Sequence, residues 1–500
     1  MGRETEGVTT AAPAAEPPGD IPAADFAAAG HELIDWIATY LDDVERYPVL
    51  SPLAPGDVSR RIGRAPPLQG NGQMRAILAD FERDLLPGIT HWNHPAFFAY
   101  FAISGSAPGI LAELLTAALN VNAMLWRTSP AATELEEVTL DWLRAMLGLQ
   151  PGWFGIITDT ASISSLLALA AAREAVPSLA IRARGMAGRA DLPVLRVYAS
   201  AHAHSSIDKA AITLGIGHDN VVHVPVDEEW RMRPDALADA IESDRARGCM
   251  PMAVVATVGT TSTTSIDPVP EIADVCARQR VWLHVDGAYG GIAAIDPEHR
   301  EVLSGVDRAD SLVVNPHKWL FTPVDCSALY TRRPDVLRRA FSLVPEYLAT
   351  TAPDDVTNYM DYGVQLGHRF RALKLWAVIR AFGADGLAER IRYHCALAQE
   401  FASWVRGAPD WELSAPVPFS LVCFRYVPAE LDAAEVDTLN ARVLETVNAT
   451  GRVYLSHTRL ADRYVLRLAI GNIRTGLEHV RLAWELLQQA AQDVTIETGG

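Results

Sequence analysis

Between Gly148 and about residue 335 the chain alternates two patterns. Short, almost wholly apolar runs (LPVLRVYAS, NVVHVPV, MAVVATVG, VWLHVDGA, SLVVNPH) are separated by stretches of helical character such as RPDALADAIESDRARG and DPVPEIADVCARQR. A strand sends alternate side chains to opposite faces, so a strand apolar at nearly every position must be covered on both. The intervening helices supply that cover. The pattern therefore predicts an α/β fold with a mainly parallel central sheet wrapped by helices. In open sheets of this kind ligands gather outside the carboxyl ends of the strands. The residues that follow each apolar run are thus the first candidates for chemistry.

The flanking regions read differently. Residues 1–21, rich in Ala, Pro, Glu and Gly, read as a disordered tail without the apolar core of a secretory signal. Residues 22–45 read as a helix with Phe26, Leu33, Ile37 and Leu41 on one face and Trp36 and Tyr40 on a second. A helix apolar on two sides needs two partners, so residues 22–105 are expected to form an N-terminal helical dimerisation segment. It ends in the aromatic stretch HWNHPAFFAYF. Residues 106–385 are expected to form the large domain. There SPAATELEEVTLDWLRAMLG is a helix with Ser129 as cap, Pro130 in the first turn and Gly148 past the end. Residues 386–492 carry short strands (SLVCFRYV, RVYLSH, YVLRLAI) and two helices, and read as a small C-terminal α+β domain.

The balance of 43 basic and 61 acidic residues, net −18, argues against nucleic acid or an anionic membrane as partner. No apolar run reaches the roughly 18 residues of a membrane span. Five scattered cysteines without a CxxC pair suit a reducing cytoplasm and argue against structural zinc and disulfides. No metal is expected.

Two strand ends carry complementary chemistry. VWLHV ends in Asp286-Gly287-Ala288-Tyr289-Gly290-Gly291, and SLVV ends in Asn315-Pro316-His317-Lys318. The acid and the lysine are 318 − 286 = 32 positions apart. Lysine is rare here: of the 43 basic residues, Lys209, Lys318 and Lys374 alone are not arginine. An isolated Asp and Lys most often make a salt bridge. At the ends of buried strands, however, both would be desolvated at a cost that needs a reason. A lysine amine can also form a Schiff base, which a guanidinium cannot. A Schiff-base lysine paired with an acid is the signature of pyridoxal phosphate (PLP), whose pyridine nitrogen the acid keeps protonated. ITDTASISSLLALAAARE offers the phosphate a helix start at Thr160, Ala161 and Ser162. AHAHSS after LPVLRVY supplies His202 and His204, read as a ring to stack on PLP rather than as metal ligands.

NPHKWL, HVDGAYGG, AHSSIDKA, ATVGTTSTTSIDPV, THWNHPAFFAYF and SPAATELE together resemble the PLP-dependent aromatic-L-amino-acid decarboxylases (group II decarboxylases), in family order from about residue 25 to 488. The resemblance implies the PLP-dependent transferase fold (fold-type I) and a homodimer with active sites at the interface. It implies that Lys318 bonds to the cofactor, Asp286 pairs with the pyridine nitrogen, Ala288 lies by the ring and His204 stacks on it. It places Thr257, Ala161, Ser162, Asn315 and His317 around the cofactor. Tyr359 matches the proton-donating tyrosine of the family's loop. Trp92, Tyr100, Phe101, Ile103, Met124 and Gly367 match the substrate pocket.

The implied reaction is decarboxylation of an aromatic L-amino acid to its arylalkylamine. Gly367 favours tryptophan or 5-hydroxytryptophan over dopa, tyrosine or phenylalanine. No cation stands in the pocket strip for an acidic side chain, Arg127 being the nearest arginine. An oxidative aldehyde synthase and a catalytically inactive, PLP-free binding paralogue are the alternatives; the retained tyrosine argues against the first and Lys318, Asp286 and His204 against the second. The chain departs from the family at Ala102-Ile103, where a hydroxyl is lost, at Asp159, expected to point away from the phosphate, and at Met124.

Overall fold

A computed structural model describes residues 19–70, 73–101, 103–343 and 356–498. The expected tail falls almost wholly outside the described residues, as does Ala102.

The described parts of Met1–Arg46 and Ser51–Ile89 form one compact helical unit. Its long helix, Ala23–Asp42, carries Trp36, which stacks on Tyr40 at 5.4 Å and meets Phe81 edge-on at 5.5 Å. Trp36 Nε1 donates to Glu82 Oε1 at 2.6 Å. The second apolar face read from the sequence is therefore satisfied within the unit. Phe26, Leu33 and Ile34 stay exposed at 62%, 39% and 36%.

The other unit, Tyr47–Leu50 with the chain from Thr90 onward, holds two sheets. Its strands in chain order are β1 Phe97–Phe98, β2 Phe154–Thr158, β3 Leu195–Ser200, β4 Val221–Val224, β5 Met250–Thr257, β6 Trp282–Asp286, β7 Ser311–Val314, β8 Ser327–Thr331, β9 Trp411–Leu413, β10 Leu421–Tyr426, β11 Tyr454–Leu460 and β12 Arg463–Ala469. The large sheet has the order β2-β8-β7-β6-β5-β3-β4. Its pairs from β7 through β4 are parallel, as the apolar runs predict. Strand β8 runs antiparallel to both β7 and β2. That edge is not evident in the sequence, because FGIIT and SALYT are short and carry Thr or Ser at their ends. Every residue of β6 and all but the first of β5 are buried, which is the two-sided cover that continuous apolarity demands. The chain moves outward from β3 to β4, returns to β5 and then proceeds the other way through β6 and β7. The order reverses between β3 and β5, the place where ligands settle in such sheets.

The small sheet, β1-β11-β12-β10-β9, contains a strand from the N-terminal part of the chain. Phe97 and Phe98 pair in parallel with Tyr454 and Leu455 and are fully buried with Phe401, Val443 and Leu466. Phe97 and Phe98, expected in the helical dimerisation segment, thus belong with the C-terminal sheet. Consecutive phenylalanines suit a strand buried on both faces better than an amphipathic helix. The expected boundary at 385/386 falls inside the helix Ala372–Gly407, which breaks at Gly383 with φ +65° and ψ 171°. Glycine takes that conformation without the steric penalty other residues meet. Among the described residues no single helix is long and apolar enough to cross a membrane.

Candidate active site

Sheet register brings the expected residues together. Thr257 at the end of β5 is the register partner of Asp286 at the end of β6, and Asp286 pairs with Val313 of β7. Asn315 and Lys318 follow β7 directly, in the turn Pro316–Trp319. The loop after β3 delivers His204.

Asp286 is 5% exposed and accepts the Ala288 N–H at 3.1 Å. The turn behind it closes only on glycine: a Cβ at Gly290 would lie 2.8 Å from the Val258 carbonyl and 2.6 Å from the Phe419 ring. Burial lowers the pKa of Lys318, with the Asp286 charge acting in the opposite sense. A lysine so placed spends more of its time as the neutral, nucleophilic amine. The other two lysines have different settings. Lys374 is 1% exposed and paired with Glu113, while Lys209 is exposed on the helix Ser206–Thr213.

His204 accepts the Ser206 N–H at Nδ1 (3.1 Å) and also meets the Ser206 hydroxyl there at 2.9 Å. Burial and then the Lys318 charge lower its pKa. A neutral imidazole that accepts at Nδ1 carries its proton on Nε2, which fixes the tautomer. His317 is likewise held neutral, its pKa brought down to about 4 chiefly by burial, and its Nδ1 accepts the Cys326 N–H.

The residues fit PLP on grounds of their own. Thr257 Oγ1 and Asn315 Oδ1 are buried and lack hydrogen-bond partners, although such groups are nearly always satisfied. Both belong to the set expected around the cofactor. Thr257 is also fixed from behind, its N–H donated to Asp267 at 2.8 Å. Asp267 is fully buried, and burial pushes its carboxyl up to about 7. Ala161 and Ser162 open the helix Ala161–Glu174 below β2, where first-turn N–H groups and the helix dipole favour an anion. Asp159 folds onto this helix start and accepts the Thr160 N–H at 2.7 Å and its hydroxyl at 3.3 Å.

Of the expected substrate residues, Phe101 is at the lysine. Its ring centroid lies 5.4 Å from Lys318 Nζ and stacks on Tyr289 at 3.9 Å, which stacks on Trp319 at 4.8 Å. Trp319 Nε1 donates to His394 Nδ1 at 3.0 Å. Trp92 and Tyr100 stack at 6.0 Å, and the Tyr100 hydroxyl meets that of Tyr454 at 3.1 Å. Ile103 is half-buried two positions on from Phe101. Met124 packs with Leu125 and Met360. Gly367 has one near neighbour in the direction of a Cβ, the Asn122 amide nitrogen at 4.0 Å. Met124 and Gly367 lie close together, each beside the Asn122 amide.

Two expectations need correction. The structure places Tyr359 in a core of its own chain. It is 2% exposed in a core with Ile156 and Leu167, its ring stacks on His368 at 4.9 Å, and its hydroxyl has no hydrogen-bond partner. Burial drives its phenol well above the ordinary tyrosine pKa. A large aromatic side chain is held here by its core neighbours. We expect Tyr359→Phe to leave amine formation within about twofold of wild type and stability unchanged or raised by up to about 1 kcal/mol, because it removes a buried unpaired hydroxyl. Product analysis and thermal melts check this; a switch to aldehyde would restore Tyr359 to the chemistry.

The second correction concerns charge. Arg467 of β12, 5% exposed, stands 5.5 Å from the Phe101 ring centroid. It donates to the carbonyls of Thr261 (2.8 Å) and Ser262 (2.9 Å) and to the Ser456 hydroxyl (2.9 Å). A buried cation therefore borders the site, so the absence of one cannot be the reason for excluding acidic substrates. Arg127 is exposed. Its 149-residue distance from Lys318 (467 − 318) hid Arg467 from sequence reasoning.

The family model for the pyridoxal-dependent decarboxylase conserved domain matches residues 55–427. Tryptophan decarboxylase 2 of Oryza sativa subsp. japonica is 39% identical over 476 residues, covering 93% of this chain and 94% of that protein. Tyrosine decarboxylase 4 of Petroselinum crispum is 40% identical over 481 residues, covering 93% of each. Phenylacetaldehyde synthase of Arabidopsis thaliana is 38% identical over 472 residues, covering 92% of this chain and 95% of that one. The crystal structure of Oryza sativa TDC with PLP and tryptamine superposes with a TM-score of 0.91 at 38% identity, covering 95% of this chain and 99% of that one. Strand-end lysine and acid, buried unpaired polar atoms beside them and a match over most of the length agree: the fold is that of the PLP decarboxylases, and the chain belongs to the pyridoxal-dependent decarboxylase family.

Proposed function

We propose that this PLP-dependent carboxy-lyase converts an aromatic L-amino acid, tryptophan or 5-hydroxytryptophan before dopa, tyrosine or phenylalanine, to its arylalkylamine and carbon dioxide. The observation that carries the reading is the Phe101–Tyr289–Trp319 stack with Lys318 Nζ 5.4 Å from its first ring. It offers a flat apolar wall beside the reactive amine, which suits an aromatic ring. The tryptophan and tyrosine decarboxylases among the relatives support the same class.

When bound, PLP supplies the electron sink that loss of carbon dioxide from an amino acid requires. Asp286 would hold the ring nitrogen's proton, Thr257 and Asn315 would satisfy their free polar atoms on the cofactor, and the helix start at Ala161 and Ser162 would receive its phosphate. His204 would lie against the ring, donating from Nε2. The stacked aromatics exclude water from the lysine's surroundings. A proton must still reach the carbon that loses carbon dioxide. Between Lys318 and Gly367 the chain has Tyr330, Tyr347, Tyr359 and Tyr362. Tyr330 donates to the Leu140 carbonyl in the core, Tyr359 is enclosed, and Tyr362 packs on Phe154 at 4.5 Å. None of these three contacts is with Lys318, and Tyr347 lies outside the described residues.

The active enzyme is proposed to be a homodimer with Met124 and Gly367 of one subunit completing the pocket of the other. The helix Ala107–Leu119 supports this: its Leu111, Leu114, Leu115 and Leu119 are 50–60% exposed. A monomer, shown by sedimentation, that retained full turnover would refute it. Five unpaired cysteines fit a cytoplasmic setting.

The deciding experiment is a panel assay with tryptophan, 5-hydroxytryptophan, dopa, tyrosine, phenylalanine and glutamate, quantifying amine, aldehyde and peroxide. Tryptophan or 5-hydroxytryptophan should give the highest kcat/KM, with amine as the product. A preference for glutamate would overturn the aromatic assignment, and stoichiometric aldehyde with peroxide would favour the synthase alternative.

A further inference from the structure

On the side of the large sheet where β4 forms the edge, three residues from three elements converge. Asp208 lies in the first turn of the helix Ser206–Thr213, His218 opens the turn His218–Asn220, and His223 lies on β4. One ligand atom from each lies within 4.8 Å of the other two. Asp208 Oδ1 stands 3.3 Å from His223 Nε2 and 3.6 Å from His218 Nε2. That oxygen is enclosed and has no hydrogen-bond partner.

These separations are too long for good N–H···O bonds, which run to about 3.2 Å. Two other histidine–carboxylate pairs of the same chain, His299–Asp296 and His368–Glu136, close to 2.8 Å. Ligand atoms about 2.0 Å from a tetrahedral metal lie about 3.3 Å apart along the edges of the tetrahedron. The Asp208 oxygen, flanked by two imidazole nitrogens, has that spacing to His223 and a slightly longer one to His218.

We infer that Asp208, His218 and His223 form a binding site for a divalent transition metal of the zinc class, with a fourth position open to solvent. Two imidazoles and one carboxylate select Zn²⁺, Co²⁺, Ni²⁺ or Cu²⁺ over Mg²⁺ and Ca²⁺, which take oxygen ligands. Bound metal ties the edge strand and the turn before it to the helix Ser206–Thr213. That helix begins two residues after His204, so the metal braces the segment that presents the histidine to the cofactor. The sequence offered no cue, since the ligands are spaced by 10 and 5 residues (218 − 208 and 223 − 218) rather than in a short motif.

The test uses untagged, metal-stripped holoenzyme. Titration with Co²⁺ should produce visible d–d absorption saturating at one equivalent per chain, and Zn²⁺ should raise the unfolding temperature where Mg²⁺ does not. Asp208→Asn, His223→Ala and His218→Ala should each weaken Zn²⁺ binding by about tenfold or more and abolish the thermal shift, with basal turnover unchanged. His218 is 63% exposed, so its replacement leaves the core intact and serves should a β4 variant fold poorly. Equal binding by wild type and variants, no stoichiometric uptake by wild type, or an equal shift with Mg²⁺ would each overturn the inference.

Discussion

Lys318→Ala is expected to abolish amine formation, lowering turnover on the order of 10⁴-fold or more, the scale on which loss of a covalent catalytic group is felt. The residue follows β7 in a tight turn, its pKa is lowered by burial, and its amine stands by the aromatic stack. Lys318→Arg is the sharper variant. It keeps the positive charge opposite Asp286 but cannot form an imine, so it should be as inactive as alanine. Both should lose the visible absorbance of lysine-bound PLP while keeping the far-ultraviolet dichroism of the folded chain. Substantial turnover by the arginine variant would reduce the lysine to a salt-bridge partner, the reading an isolated Asp–Lys pair would have favoured.

Asp286→Ala should lower kcat on the order of 10²–10³-fold, comparable with removal of a preorganised charge-stabilising group elsewhere. The carboxylate is 5% exposed and has one described donor, the Ala288 N–H, which leaves its other oxygen for the pyridine nitrogen. Its effect falls on the electron-accepting power of the cofactor, so kcat should suffer more than KM. A second consequence has a definite sign. Asp286 raises the pKa of Lys318 against the effect of burial, so its removal should move the lysine's titration in the cofactor-free protein to lower pH. Reactivity of Lys318 towards an amine reagent, followed against pH, reads this directly. An Asp286→Asn enzyme with wild-type kcat would remove the carboxylate from the chemistry.

What the sequence disclosed and what it withheld divide along a physical line. Asp286, Asn315 and Lys318 were legible because they follow apolar strands directly, and parallel strands align their carboxyl ends. Thr257 was legible through motif likeness and is the register partner of Asp286. The position of Phe101 was legible only through motif likeness, since β1 joins a sheet made of segments some 350 residues later. Arg467 sits in β12, where a pattern of apolar strand residues says nothing of a neighbour in the large domain. Tyr359 failed for a different reason. Matching a motif identifies a residue's place in the chain, while the direction of its side chain depends on competition between core and site, and here Phe154, His368 and Leu167 won.

The settings of the three lysines have a practical consequence. Lys374 is sealed against Glu113, and Lys318 lies in the interior over the Phe101 ring. Among lysine side chains an amine-directed reagent is thus left with Lys209, exposed on the helix that leads away from His204. A fluorophore coupled through a lysine side chain would therefore sit at one defined place on each subunit.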